Sequence, residues 1–110
     1  MVGTIPLASP QSAYALLEAV AQARLHGIAL ALDVNWRPTF WDAAADPAAG
    51  PTQAERSAIR PLLEQAGLIK LAREEALWLF AGDDPREICS GLPQRPDVVV
   101  TDGAAPVRWC

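Results

Sequence analysis

Apolar residues along this chain fall into two patterns that take turns. Short apolar-rich runs at Val2–Ile5, Ile28–Leu32, Leu68–Leu71 and Asp97–Thr101, the last centred on Val98-Val99-Val100, suit strands buried on both faces. Between them, apolar residues recur at helical spacing, as Ala13, Leu16, Leu17, Val20 and Ala23 do. Ser9 and Pro10 predict the N-cap and first residue of that helix. His26 reads as a helix-end residue interacting with the terminal carbonyls, and Gly27 as the left-handed residue that closes the helix. A second helix opens on the capping box Thr52-Gln53-Ala54-Glu55 and carries Ile59, Leu62, Leu63 and Ala66, with Pro61 expected to kink or restart it. Two shorter helices follow, Arg73–Phe80 ending near Gly82, and one that starts at Asp84-Pro85 and closes at Gly91. Residues Asp42–Gly50 read as an exposed loop.

Strands separated by helical crossovers predict an α/β fold in which the first four strands are parallel. Pro106–Cys110 follows a tight turn at Asp102–Ala105 too closely for a crossover, so this fifth strand should run antiparallel or leave the sheet. In an open parallel sheet the carboxyl ends of the strands share one edge, the usual place for a ligand crevice. Three such ends carry polar residues: Asp33/Asn35/Arg37, Lys70/Glu74/Glu75 and Thr101/Asp102/Gly103. The Arg37 guanidinium offers a planar fork of donors for phosphate or carboxylate, and the Asn35 amide can donate and accept. The same residues could instead brace a loop as an Asp/Arg pair. Asp33 is expected to cap the loop through backbone N–H groups, and Trp36, Phe40 and Trp41 to form the loop's core. Glu74 and Glu75 suit a helix N-terminus electrostatically, and Gly103 would allow a close backbone approach or positive φ.

Composition narrows the field. With 51% hydrophobic and 20% charged residues, 110 residues suit one soluble globular domain or a piece of one. The net charge of −4 argues against a nucleic-acid or anionic-membrane partner. Cys89 and Cys110 are too few for a disulfide scaffold and read as reduced thiols, which makes the cytoplasm the expected location. No secretory leader is visible, and no apolar run approaches the roughly 20 residues that span a bilayer. The chain begins and stops as if inside strands, at Met1–Ile5 and at Val107–Cys110, which predicts an internal piece of a longer protein.

The stretch Asp33-Val34-Asn35-Trp36-Arg37-Pro38-Thr39-Phe40-Trp41 resembles the Asp-x-Asn-x-Arg-Pro-x-x-Trp segment of ribokinase-like (pfkB) carbohydrate kinases, fructokinases above all. Ile69–Ala76 is similar to the family's segment of hydrophobic residue, Lys and Asn-x-x-Glu, with Ala72 in place of the asparagine and Glu75 at the glutamate. Val98–Gly103 resembles its Val-Val-Thr-x-Gly stretch, although Pro106 stands where a second glycine is usual. The resemblance implies part of a Rossmann-like, three-layer ribokinase-type domain over residues 1–110, and a longer parent that transfers the γ-phosphoryl of ATP to a sugar hydroxyl with magnesium. It further implies Asn35 and Arg37 on the substrate and phosphate side, Thr101 and Gly103 beside the ATP, and Glu75 organising the metal. The implied partners are a small-molecule sugar and ATP, with room for a homodimer of the parent.

The family's Gly-Ala-Gly-Asp segment, which carries the catalytic base, does not occur in this sequence. The isolated chain is therefore expected to be inactive. Other substrates and classes remain to be separated: a sugar-acid kinase of the 2-keto-3-deoxygluconate type, a haloacid dehalogenase-like phosphatase with Asp33 as nucleophile, and a non-catalytic α/β binding module. Against the phosphatase, Asn35 stands where a second aspartate is usual, and Lys70 precedes rather than follows Thr101.

Overall fold

The computed structural model describes all residues, 1–110. It contains five strands, β1 (Val2–Gly3), β2 (Ala31–Asp33), β3 (Leu68–Ala72), β4 (Asp97–Thr101) and β5 (Arg108–Trp109). They lie side by side in sequence order; β1 to β4 are parallel and β5 runs antiparallel to β4. The helices are α1 (Pro10–Leu25), α2 (Pro38–Trp41), α3 (Gln53–Gln65), α4 (Arg73–Phe80) and α5 (Pro85–Gly91). This is the α/β architecture expected, four parallel strands and a final reversal included. No helix is long and apolar enough to cross a membrane.

Two strands are shorter than the apolar runs suggest. The first stops at Gly3, because Thr4 turns inward and its hydroxyl donates to the Val34 carbonyl; Ile5 then opens a 3-10 turn over Ile5–Ala8. The second begins at Ala31, because the residues before it finish α1. Gly27 adopts φ +68°, its N–H reaches the Arg24 carbonyl at 3.2 Å, and the Ile28 N–H reaches Ala23 at 2.8 Å. These paired bonds close the helix and leave Ile28 62% exposed. They also take the terminal carbonyls expected to engage His26, whose side chain makes no hydrogen bond. Ser9 sits at the N-cap without a capping bond; Ser12 Oγ instead donates to Pro6 O at 2.6 Å.

The Thr52/Glu55 capping box forms in both directions, at 3.2 and 2.9 Å. α3 runs through Pro61 without a restart. α4 ends on Ala81 at φ +58°, one residue ahead of the glycine expected to stop it.

The register puts Leu32, Ile69 and Val98 in one row, and Leu71 beside Val100 in the next, on a face exposed by no more than 1%. Leu16 and Val20 of α1, Ile59 and Leu62 of α3, Ala76 of α4 and Ile88 of α5 join them in one core. All three parallel crossovers advance in the same direction, and right-handed connections then place their helices on one face. The opposite face carries Ala31, Asp33, Lys70, Val99 and Thr101, all partly or well exposed. The molecule measures 39 × 36 × 22 Å, and its short dimension suits one helical layer on one sheet.

Candidate active site

Because β1 to β4 are parallel, the residues after β2, β3 and β4 emerge along one edge. β2 and β4 both flank β3, so their carboxyl ends stand about 10 Å apart, two strand spacings. Asn35 and Arg37 follow the first, Glu75 lies in the first turn of α4 directly after β3, and Thr101 and Gly103 end the third. The fold therefore gathers every candidate residue along one edge.

Asn35 sits in the left-handed region at φ +47°, a conformation that asparagine tolerates better than most residues. There the chain turns out of β2 toward Trp36. The Asn35 amide makes no hydrogen bond within the chain. Arg37 is exposed and donates from Nη1 to the Trp36 carbonyl at 3.1 Å, with no acidic partner. The Asp/Arg brace is absent, and the remaining Arg37 donors are free to meet an anion. Gly103 adopts φ +51° in an exposed turn, where a side chain would be strained.

Glu75 is 8% exposed and holds the edge together. One of its oxygens accepts from the Trp36 N–H at 2.5 Å, the other from the Ala72 N–H at 2.7 Å. The second bond is half of a capping box; Ala72 has no side-chain oxygen to return it. Glu75 thus performs the backbone capping expected of Asp33. Asp33 instead pairs with Lys70 at 3.6 Å on the open face, an exposed pair worth at most about 1 kcal/mol.

Trp36 is buried and its indole donates to Ala49 O at 2.8 Å; the Trp41 ring lies 5.6 Å away. Phe40 departs from the expected loop core and is 62% exposed. The Asp42–Gly50 loop is more closely held than expected. Asp42 and Asp46 each cap a backbone N–H two residues on at 2.9 Å, and Gly50 lies against Trp78 so closely that a Cβ would come within 2.8 Å of the ring.

Both Glu75 oxygens are committed to backbone donors, and no group of three or more His, Cys, Asp or Glu side chains is placed to hold a metal ion. A cavity of about 520 Å³ lies between α3 and the α4–α5 turn, lined by Arg56, Trp78, Phe80 and Glu87, and shares no residue with the strand edge.

The architecture has close counterparts among solved structures. The PfkB protein of Polaromonas sp. JS666 superposes with a TM-score of 0.78 at 23% identity, over 98% of this chain and 35% of that one. This is one third of a ribokinase-type fold. Fructokinase from Xylella fastidiosa, solved with bound ATP, gives 0.74 at 26% identity, with 98% and 33% covered. Fructokinase from Vibrio cholerae O395, solved with fructose, ADP and calcium, gives 0.75 at 24%, with the same coverage. No family model matches the chain, and no curated protein matches it by sequence. The chain spans about a third of the length of these ribokinase-type structures.

Proposed function

We propose that this chain is part of an ATP-dependent carbohydrate kinase of fructokinase type. The observation that carries the proposal is the strand edge itself. An unpaired arginine and an unbonded asparagine amide follow β2, and a positive-φ glycine turn follows β4 about 10 Å away. The ribokinase-type fold supports the same reading, since the Xylella and Vibrio fructokinases were solved with ATP, and with fructose and ADP.

In this reading Arg37 and Asn35 face the sugar and the transferring phosphoryl group, and Thr101 and Gly103 border the nucleotide. Arg37 would stabilise charge that grows on the phosphoryl oxygens, which is how positioned guanidinium groups contribute to such transfers. Glu75 acts one step back, by fixing the Trp36 backbone and with it the directions of Asn35 and Arg37. Magnesium, where present, would be held by the nucleotide and by water, with Glu75 an outer partner at most. The base that takes the sugar proton lies outside these residues, so the isolated chain should not phosphorylate sugars. Asp33, ion-paired with Lys70 on the open face, is poorly placed to be a phosphatase nucleophile.

The test uses the longer protein that carries this segment, in a coupled ADP-release assay with fructose and, separately, with a sugar acid. Arg37→Ala should lower kcat/KM at least about tenfold while changing stability by less than about 0.5 kcal/mol. Unchanged turnover would return Arg37 to a structural role. A preference for the sugar acid would replace fructose as substrate and leave the kinase reading standing. No phosphorylation of either sugar would favour the non-catalytic module.

A further inference from the structure

Cys89 and Cys110 lie well apart in sequence, and both are free thiols. The fold brings them together beside the amino end of β4. Past Trp109 the antiparallel ladder continues by one residue. The Cys110 N–H donates to Val98 O at 2.9 Å, and the Val98 N–H to Cys110 O at 3.3 Å. Side chains alternate faces along a strand, so Cys110, opposite Val98, belongs to the face that the helices cover. α5 packs on that face, and Cys89 leans on the core next to Ile88. The two thiols are near enough to influence one another, and both residues are only half-buried.

We propose that Cys89 and Cys110 form a dithiol modification site, at which a small-molecule disulfide oxidises the pair to an intramolecular bond between α5 and the last strand. The thiolate of one cysteine attacks a sulfur of the small disulfide and expels one small thiolate, leaving a mixed disulfide. The other cysteine, as thiolate, attacks the protein sulfur of that mixed disulfide, forms the Cys89–Cys110 bond and expels the second small thiolate. Two protein thiols are oxidised, one small disulfide is reduced to two thiols, and the two cysteine protons end on the leaving groups. Burial, and then the neighbouring Cys110, push the Cys89 thiol up, while Arg95 pulls it down. The bond closes a loop containing β4, the Asp102–Ala105 turn and β5.

The test incubates the reduced chain with excess oxidised glutathione, blocks remaining thiols with an alkylating reagent and measures intact mass. The expected product is lighter than the reduced chain by two hydrogens, carries no glutathione and has no alkylated thiol. Cys89→Ser and Cys110→Ser should each stop at one glutathione adduct. In glutathione redox buffers the equilibrium constant for the bond should be at least about tenfold larger for the folded chain than for the chain in urea, because only the fold holds the thiols together. Two stable adducts, two alkylatable thiols, disulfide-linked dimers as the main product, or equal constants in the folded and unfolded chains would each overturn the proposal.

Discussion

Glu75 carries more of the edge geometry than any other single side chain. Its carboxylate accepts from two backbone N–H groups, on Trp36 in the loop after β2 and on Ala72 at the end of β3. Glu75→Ala would leave both donors without an acceptor, at a cost of about 2–4 kcal/mol. Glu75→Gln keeps one acceptor oxygen and should lose less. Urea unfolding of the two variants checks the order, and an alanine variant as stable as wild type would remove Glu75 from this role. Asn35 and Arg37 were legible in the sequence, because polar residues that interrupt an apolar run at a strand end announce themselves. The work of Glu75 was not. Its partners are backbone groups, which no residue letter marks, and Trp36 lies in a different crossover unit. The only local signal was a glutamate three residues after the end of a strand, the second half of a capping box with no first half.

Legibility among the elements follows the range of the forces that end them. The Thr52/Glu55 box was readable because both partners lie within one turn. The ends of β1 and β2 were not, because Thr4 bonds across to Val34 and Ile28 is held back by the closure of α1. Pro61 was expected to break α3, but Ile59, Leu62 and Leu63 are buried around it, and their packing outweighs one missing N–H. Pro61→Ala restores that donor at an exposed position and should stabilise the chain by about 1–3 kcal/mol, read as a rise in the urea midpoint. A lower midpoint would show that proline's stiffness in the unfolded chain matters more. At the far end of the sheet, Asp83 accepts from Arg73 at 2.9 Å and Arg108 at 3.1 Å, joining the start of α4 to β5. The hydrogen bonds from Arg108 and then Arg73 hold its carboxyl below the ordinary carboxylate range. A group ionised more readily in the folded than in the unfolded chain stabilises fully above the unfolded pKa, and loses that contribution as pH falls through the folded one. Urea midpoints of wild type and Asp83→Asn should therefore differ near pH 7 and converge as the pH falls below the ordinary carboxylate range. A constant gap across that range would show that the triad does not act through charge.

The whole molecule is a sheet with helices on one side. The sequence implied three layers for the full domain, and this chain holds two of them, the sheet and one helical layer. Apolar-rich runs could not say which face each crossover would cover; sequential strand order with right-handed connections decides it. Parallel sheets are ordinarily covered on both faces, and here Ala31, Leu68, Val99 and the 76% exposed Trp109 remain within reach of solvent. The isolated chain should therefore associate or melt over a broad range, as measured by size-exclusion chromatography across a concentration series and by thermal unfolding. A monomer at every concentration, with a sharp cooperative melt, would refute this. The same strand order also shapes how the sheet can be built. Each strand pairs with the one made just before it, so every crossover closes on a neighbour already present and no strand waits for a distant partner. The sheet can grow at a single edge, in the direction of synthesis, with α1, α3 and then α4 and α5 sealing each addition as it leaves the ribosome.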